Sequence, residues 1–363
     1  MAFIDNLIGN TIRADVQQVG SYHVSDSDGY LKLDAMENPY RLPQALRSEL
    51  GQLMAELMLN RYPDASYGAL KAKICTTLGV PGGFDVMLGN GSDELISIIA
   101  SACALQQRRA VMLAPVPAFV MYARSAQFAG MDFVGVPLRP DFTLDLPAML
   151  AAIALHQPTV VFLAYPNNPT GNLFDAGDMV HIINALGERG IVVVDEAYEP
   201  FAQHSFMARL PEFPNLVVMR TLSKLGLAGI RLGYMAGAPA LLAQFDKVRP
   251  PYNVNMLTEA AALFALEHVD VLNAQAAALN AARGDLAARL AGLPGVQVFP
   301  SAANFLLIRV PDAGAVHAKL LALRVLVKNM SKMDGVLNNC LRITVSTPEE
   351  NAQFFDAIDA SLR

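Results

Sequence analysis

A lysine, two hydroxyls and an arginine lie together in the eleven residues from Thr221 to Arg231. The segment reads Thr-Leu-Ser-Lys-Leu-Gly-Leu-Ala-Gly-Ile-Arg and follows an apolar run at residues 216–219 that predicts a strand. The hydroxyls and the guanidinium can hold phosphate oxygens, while the amine of Lys224 can form a Schiff base with a carbonyl. The segment therefore favours a ligand with both an aldehyde and a phosphate, such as pyridoxal phosphate. A solvated loop lysine beside a glycine-rich turn is the alternative, and this motif alone does not exclude it.

A second candidate is Asp195, which directly follows the apolar residues 192–194. A carboxylate at the end of a buried strand needs a cationic partner or several hydrogen bonds, because burial penalises its charge. The protonated nitrogen of a pyridine ring would be such a partner, and the ion pair would keep the ring electron-withdrawing. A helix N-cap and a metal ligand are the alternatives. The metal ligand is disfavoured because no histidine lies near Asp195 in the sequence.

Two further segments lie where predicted strands end. Residues 165–171 read Tyr-Pro-Asn-Asn-Pro-Thr-Gly, which predicts a fixed turn with Asn168-Pro169 as a candidate cis bond. Such a turn can aim the Asn168 amide at a ring oxygen, although an ordinary turn has the same composition. Residues 88–94 read Leu-Gly-Asn-Gly-Ser-Asp-Glu, so Ser92 or Asp93 is expected to cap a helix whose N-terminus favours phosphate. Glu94 stands where a dinucleotide-binding fingerprint requires glycine, which excludes that class of oxidoreductase.

Length and composition limit the class of protein. The 363 residues exceed the usual size of one hydrophobic core, and the 53% hydrophobic content predicts extensive burial. A formal net charge of −6 gives no reason to expect nucleic acid as a partner. Three cysteines without paired spacing indicate neither a disulfide framework nor a structural zinc site. We find no secretory leader and no run near the roughly 20 apolar residues of a membrane span, so we expect a cytoplasmic protein without a membrane partner.

Alternating strands and helices must position these segments. From about residue 42 to 250 short apolar runs alternate with helical patterns, which predicts a mostly parallel seven-stranded sheet covered by helices. In such sheets ligands bind at the carboxyl ends of the strands. A proline-rich segment at 249–253 interrupts the alternation, and the long, alanine-rich stretch at 256–293 is predicted to be helical. We therefore expect an α/β protein with a large domain at 41–250, a smaller α+β domain at 251–363, and an N-terminal segment at 1–40 that associates with the small domain.

With these segments in this order, the chain resembles the fold type I pyridoxal-phosphate-dependent aminotransferases. The resemblance runs from residues 33–40 (Leu-Asp-Ala-Met-Glu-Asn-Pro-Tyr) through 61–64 (Arg-Tyr-Pro-Asp) to 340–344 (Cys-Leu-Arg-Ile-Thr). Within that family the chain is most similar to the histidinol-phosphate aminotransferases. This implies that an amino group passes from L-histidinol phosphate to 2-oxoglutarate, giving imidazole-acetol phosphate and L-glutamate.

Other functions on the same scaffold remain open from the sequence. An aromatic amino-acid aminotransferase and a phosphothreonine decarboxylase-like enzyme would use the same motifs. A non-catalytic, cofactor-dependent regulator is a third possibility from a different class of protein. It is disfavoured because such proteins usually carry an added DNA-binding domain, and no spare segment with a basic helix is found in the sequence.

The resemblance implies a role for each matching residue of the cofactor site. Lys224 would carry the cofactor as a Schiff base and move the proton between the substrate Cα and the cofactor C4′. Asp195 would pair with the ring nitrogen, and Asn168 and Tyr198 would hydrogen-bond the phenolic oxygen of the ring. Phe119 would stack on the ring, since stacking needs only an aromatic face. The residues around the cofactor phosphate would be Gly91, Ser92, Asp93, Thr221, Ser223 and Arg231.

The resemblance also implies residues that bind the substrate and a residue shared between subunits. Arg342 would hold the substrate α-carboxylate in a bidentate pair, with an exposed arginine at a strand edge as the alternative. Lys328 stands where some histidinol-phosphate enzymes carry an arginine that binds the substrate phosphate, and Tyr22 is a second candidate for that phosphate. Tyr62 would reach the cofactor phosphate of a neighbouring subunit, which implies a homodimer with shared active sites. Met36 stands where related enzymes commonly carry asparagine.

Overall fold

The computed structural model describes residues 2–21, 25–105, 107–333 and 335–363 of the chain. The strands in these residues are β1 (Leu31–Lys32), β2 (Asp85–Asn90), β3 (Val111–Val116), β4 (Asp132–Pro137), β5 (Val160–Ala164), β6 (Ile191–Asp195), β7 (Leu216–Thr221), β8 (Leu232–Gly237), β9 (Gln297–Val298), β10 (Phe305–Arg309), β11 (Val325–Leu326), β12 (Lys328–Asn329) and β13 (Cys340–Thr344). Strands β2 to β8 form one seven-stranded sheet in the order β2-β8-β7-β6-β5-β3-β4. Strand β8 runs opposite to the other six strands of this sheet, so the predicted mostly parallel sheet is confirmed.

Helices follow most of the strands, as the alternating pattern predicts. They are α1 (Ala2–Thr11), α2 (Ala14–Gln17), α3 (Gln44–Ala55), α4 (Gly68–Thr77), α5 (Ser92–Cys103), α6 (Met121–Phe128), α7 (Leu146–His156), α8 (Ala176–Leu186), α9 (Glu199–Ala202), α10 (Pro239–Asp246), α11 (Met256–Glu267), α12 (Val269–Ala291), α13 (Ala313–Ala322) and α14 (Pro348–Leu362). Among the helices of the described ranges, none is long and apolar enough to cross a lipid bilayer.

The seven-stranded sheet separates two hydrophobic cores. Alternate residues of a strand point to opposite faces, so Val161 and Leu163 of β5 pack with α4, α7 and α8 on one side. Val160 and Phe162 of the same strand pack with α5, α6 and α10 on the other side. Full burial of each such side chain stabilises the fold by about 1.5–3 kcal/mol relative to exposure. The two cores hold the strand ends in place from both faces.

A second, antiparallel sheet lies in the C-terminal part of the chain. Its order is β12-β13-β10-β9, and helices α12, α13 and α14 pack against it in a third core. Strand β1 pairs in parallel with β11, so residues near the N-terminus join this part of the molecule. The predicted α/β class with a smaller α+β unit is confirmed. The domain limits at residues 40 and 250 stay predictions.

Two successive helices occupy the region 256–293 that the sequence predicts to be helical. Helix α11 ends at Glu267 and α12 begins at Val269, with His268 between them at φ −111° and ψ 30°. Buried residues of α11, including Ala262, lie in the core against the large sheet, whereas Leu279 of α12 lies in the core of the small one. Leu272 in the first turn of α12 also lies in the core against the large sheet, so α12 itself passes from one core to the other. Apolar periodicity alone does not reveal this change of partner.

Candidate active site

A cavity of about 120 Å³ lies at the carboxyl ends of β5, β6 and β7, where Ala164, Asp195 and Thr221 form part of its lining. Neighbouring parallel strands end at the same edge of the sheet, which brings segments distant in sequence together. The register pairs Ala164 directly with Asp195, so the turn after β5 and the acid at the end of β6 are neighbours. The predicted location of the site at this edge of the sheet agrees with the structure.

Lys224 lies in the cavity wall, in the kinked turn Ser223–Leu227 that begins two residues after β7 and has Gly226 at φ 129°. Its Nζ donates a 3.0 Å hydrogen bond to the carbonyl oxygen of Ala35 and lies 6.0 Å from the ring centroid of Tyr198. Burial and, to a smaller extent, the charge of Arg342 lower the pKa of Lys224 to about 8. A larger fraction of this amine is therefore unprotonated near neutral pH than in an exposed lysine. The unprotonated amine is the form that attacks an aldehyde.

Asp195 is a buried carboxylate in the same cavity. Its Oδ2 accepts a 2.6 Å hydrogen bond from the Tyr122 hydroxyl, and its Oδ1 accepts one of 3.1 Å from the Ala197 N–H. Burial raises the pKa of Asp195 to about 6, although both hydrogen bonds act in the opposite direction. No ion pair to Asp195 is formed within the described parts of the chain. A cationic ring nitrogen would supply the missing countercharge.

Tyr122 is a site residue that the sequence analysis missed. Its ring stacks on Phe162 of β5 at 4.5 Å between centroids and contacts the edge of Phe119 at 5.8 Å. Phe119 itself lines the cavity, where it was predicted to stack on the cofactor ring. Tyr122 follows Phe119 by three residues, which is about one helical turn, and this spacing is the signal that could have indicated it.

Asn168 connects two other predicted residues. Its Nδ2 donates to the Tyr198 hydroxyl at 3.1 Å, and its Oδ1 accepts a 2.6 Å hydrogen bond from Arg342 Nη1. Arg342 Nη2 also donates to the Asp34 carbonyl oxygen at 2.9 Å. Arg342 is 8% exposed and lies in β13, an interior strand, so the alternative of an exposed strand-edge arginine is wrong. The candidate cis bond at Asn168-Pro169 is cis.

The other end of the cavity gathers the predicted phosphate-binding residues. Arg231 Nη1 and Thr221 Oγ1 both donate to Ser223 Oγ, at 3.2 and 3.0 Å. Gly91 has a φ of +78°, and a Cβ at this position would lie 2.5 Å from Arg231 Nη2. The positive φ favours glycine at this position, and any Cβ would also force the Arg231 guanidinium to move.

The expectation that Ser92 or Asp93 caps α5 is wrong. The N-cap is Gly91, and no side chain makes a capping hydrogen bond there. The side chains of Ser92 and Asp93 line the cavity instead, and Asp93 Oδ2 lies 3.6 Å from Arg231 Nη2. Because the N-cap residue is glycine, it has no side chain that could cap the helix. Its positive φ turns the chain sharply into α5. Helix N–H groups without a capping side chain, next to an arginine, suit an anion.

Four predicted residues that the structure describes are not in the lining of this cavity, namely Gly91, Arg342, Lys328 and Tyr62. Lys328 is the direct cross-strand partner of Arg342, so the two side chains lie on the same face of the small sheet, but Lys328 is not in the cavity lining. Tyr62 is 78% exposed and stacks on Tyr252 with 4.6 Å between ring centroids. Tyr22 lies outside the described residues.

The fold and the site together define an aminotransferase of fold type I. A family model for aminotransferase class I and II matches residues 28–358, and the chain belongs to this family. The resemblance and the fold class predicted from the sequence are confirmed.

Close relatives carry a more specific name. The chain is 63% identical over 363 residues to histidinol-phosphate aminotransferase 1 of Ralstonia nicotianae, covering 99% of this chain and 96% of the relative. It is 64% identical over 367 residues to histidinol-phosphate aminotransferase 2 of Cupriavidus pinatubonensis, covering 100% of both. Among solved structures, histidinol-phosphate aminotransferase from Sinorhizobium meliloti in complex with pyridoxal-5′-phosphate is similar in fold. That match has a TM-score of 0.86 at 24% identity and covers 97% of this chain and 98% of the other.

Proposed function

We propose that this protein is a pyridoxal-phosphate-dependent transaminase that transfers the amino group of L-histidinol phosphate to 2-oxoglutarate. The products are imidazole-acetol phosphate and L-glutamate. The observation that carries the proposal is the convergence of Lys224, Asp195 and the cluster around Arg231 in one cavity. Relatives named histidinol-phosphate aminotransferase, at 63 and 64% identity over nearly the whole chain, support the choice of substrate.

The residues of the cavity fit pyridoxal phosphate. The buried carboxylate of Asp195 suits the protonated ring nitrogen, because each charge would compensate the other in a low-dielectric site. The hydroxyls of Thr221 and Ser223, together with Arg231 and the start of α5, suit the phosphate. When bound, this cofactor supplies an electron-withdrawing ring that takes up the electron pair released when the substrate Cα loses its proton.

Lys224 and the residues around it perform the proton transfer. An amine with a pKa near 8 accepts a proton from the substrate Cα and returns it readily near neutral pH. Asp195 would hold the proton on the ring nitrogen, and the hydrogen bonds from Tyr122 and the Ala197 N–H orient its two oxygens. Asn168 and Tyr198 would bind the phenolic oxygen of the ring through polar groups that already lie 3.1 Å apart.

Arg342 would bind the acidic end of both substrates. Glutamate and 2-oxoglutarate present a carboxylate next to the reacting carbon, whereas histidinol phosphate carries a phosphate-bearing carbon in that place. The planar guanidinium of Arg342 suits either anion. Lys328 lies on the same face of the sheet and would add a second positive charge for the phosphate. We keep Tyr22 as a further candidate for contact with that phosphate.

A substrate panel with purified protein tests the proposal. Protein loaded with pyridoxal phosphate should form glutamate from histidinol phosphate and 2-oxoglutarate faster than from phenylalanine or tyrosine, and should not release carbon dioxide from phosphothreonine. Preference for an aromatic amino acid, or decarboxylation, would select one of the alternative enzymes.

The role of Lys224 has its own test. Borohydride reduction followed by peptide mapping should label Lys224, and Lys224→Met should lower turnover by a factor of about 10³ or more. The matched control is Lys247→Met, since Lys247 is exposed in the turn after α10 and its side chain bonds only Gln244 in the described structure. A label on any other lysine would refute the assignment.

We also propose a homodimer with shared active sites, located in the cytoplasm. Tyr62 is 78% exposed, and its neighbours Met58 and Leu59 are 67 and 65% exposed, which is typical of a surface covered by another chain. Mixing the inactive variants Lys224→Ala and Tyr62→Ala should restore activity, because each mixed dimer would contain one intact site. Failure of a demonstrated mixed dimer to regain activity would exclude shared sites.

Three free cysteines fit a reducing cytoplasm, which cell fractionation would test.

A further inference from the structure

A buried ion pair lies behind the cavity wall and takes no part in the chemistry described above. Arg220 Nε and Nη2 both lie 2.9 Å from Glu196 Oε2. The side chain of Glu196 is fully buried and that of Arg220 is 8% exposed. Glu196 directly follows Asp195, and Arg220 directly precedes Thr221. Successive residues of a strand point to opposite faces, so the pair lies across the sheet edge from the cofactor side.

Two more side chains complete this ionic cluster, which we define as Glu196, Glu199, Ser205 and Arg220. Ser205 Oγ donates to Glu196 Oε2 at 2.9 Å and accepts from Arg220 Nη2 at 2.8 Å. Glu199 Oε2 lies 3.5 Å from Arg220 Nη1. The cofactor-site residues with a direct chain neighbour in the ionic cluster are Asp195, Tyr198 and Thr221.

The backbone around the ionic cluster is tied to it as well. The Phe206 N–H donates to Glu196 Oε1 at 2.5 Å, and the Glu196 N–H donates to the Met219 carbonyl oxygen at 2.8 Å. Arg220 Nη1 donates at 3.4 Å to the Leu78 carbonyl oxygen at the end of α4. The ionic cluster therefore joins the ends of β6 and β7, the loop before Phe206 and one covering helix.

Stability alone is a weak explanation for this arrangement. Two charges lose their hydration on burial, and their mutual attraction often does no more than offset that loss. Apolar residues of similar size would fill the same space. A pair with directional hydrogen bonds does differ from apolar packing in one respect, because it defines the distance and angle between the elements that it joins.

We propose that Glu196 and Arg220 are positioning residues for the cofactor site. Their ion pair sets the relative position of the ends of β6 and β7, and thereby places Asp195, Tyr198 and Thr221 around the ring and the phosphate. The inference rests on the proposed function, since these three residues would hold pyridoxal phosphate. In metal sites, removing a group that orients the ligands weakens binding about 10- to 100-fold, and we expect a loss of the same order here.

The decisive variant is the double substitution Glu196→Met/Arg220→Met. It removes both buried charges together, so the fold should survive. Glu199 also loses its partner Arg220, but its side chain is 33% exposed and can be hydrated. We expect the dissociation constant of pyridoxal phosphate, measured by absorbance titration of the cofactor-free protein, to rise about 10- to 100-fold. Amide hydrogen exchange at residues 195–198 and 221–223 should be faster in the cofactor-free variant. Wild-type affinity and wild-type exchange in the folded double variant would overturn the proposal.

Two single substitutions keep the test decisive if the double variant does not fold. Ser205→Ala removes a bridging hydroxyl and leaves both charges in place. It should therefore weaken binding of pyridoxal phosphate and speed amide hydrogen exchange, each by a smaller factor than the double variant. No change in folded Ser205→Ala would then count against the proposal. Glu212→Gln is the matched control, because Glu212 forms an exposed ion pair with Arg209 in the same region, and it should behave as wild type.

The outcomes also separate this inference from the proposed function. Wild-type protein that does not bind pyridoxal phosphate would refute the proposed function itself. Wild-type protein that binds it, with variants that bind equally well, would refute only the positioning role of Glu196 and Arg220.

Discussion

Replacing Tyr122 by phenylalanine removes one hydrogen bond from a buried charge and changes little else. The Tyr122 hydroxyl donates to Asp195 Oδ2 at 2.6 Å, and burial raises the pKa of Tyr122 so that it stays protonated. The ring would remain stacked on Phe162, because that contact does not involve the hydroxyl. The variant Tyr122→Phe therefore tests how strongly one donor stabilises the ionised form of Asp195.

The size of the effect follows from the hydrogen bond. A hydrogen bond to a buried charge contributes about 1.5–3 kcal/mol. One pKa unit corresponds to about 1.4 kcal/mol, so losing the bond should raise the pKa of Asp195 by about 1–2 units. In the cofactor-free protein the pKa would then move from about 6 to about 7 or 8.

The same shift predicts how stability depends on pH. The folded-state pKa of Asp195 lies above its ordinary value of 3.8, so its contribution to stability is greatest below pH 3.8 and is lost as pH rises through the folded pKa. In Tyr122→Phe this loss continues to higher pH. The destabilisation of the variant relative to wild type should therefore grow by about 1.5–3 kcal/mol between about pH 5 and pH 8.

Urea unfolding of the cofactor-free proteins at a series of pH values measures this difference. When Asp195 is replaced by asparagine, the destabilisation caused by Tyr122→Phe should no longer grow between pH 5 and about pH 8. Tyr165→Phe is a matched control, because Tyr165 is also buried at a strand end but its hydroxyl makes no hydrogen bond to the Asp195 carboxylate among the described residues. The bond from the Tyr165 N–H to the Asp195 carbonyl oxygen belongs to the backbone and does not depend on the hydroxyl. A constant difference between Tyr122→Phe and wild type from pH 5 to about 8 would refute the reasoning.

Two further predictions concern the phosphate end of the cavity and the lysine. Gly91→Ala should weaken binding of pyridoxal phosphate in an absorbance titration, because its Cβ would lie 2.5 Å from Arg231 Nη2 at a φ of +78°, whereas Gly229→Ala meets no atom within 4 Å and should bind as wild type. Equal affinity of the two variants for pyridoxal phosphate would contradict this explanation of the phosphate end of the cavity. Lys224 has a folded-state pKa of about 8 against an ordinary 10.5, so the unfolded chain binds more protons between these values and stability should rise with pH there. The unfolding free energy of wild type minus that of Lys224→Met should rise by about 3 kcal/mol across this range, and a flat difference would exclude the lowered pKa.

Much of the site could be predicted from the sequence because its signals are local. Lys224, Asp195 and Asn168 each lie within five residues of the end of an apolar run, and such runs predict strands without knowledge of the fold. Alternation of strands with helices then predicts a parallel sheet, whose strands end at one edge. The residue types at that edge were enough to indicate a ligand that carries both an aldehyde and a phosphate. The wrong cap at Ser92 shows the limit even of local patterns, since backbone geometry at Gly91 decided it.

Only the tertiary structure decided which side chains meet. Tyr122 and Asp195 are 73 residues apart, Asn168 and Arg342 are 174 apart, and the Lys224 amine reaches a carbonyl 189 residues away. Strand register and the packing of helices on two faces of the sheet set these contacts, and neither is encoded in the residues next to the contact. The sequence by itself therefore determined the chemical groups and the edge of the sheet where they lie. The three-dimensional packing determined their partners, their burial and so their pKa values, because these depend on everything within a few ångströms in space.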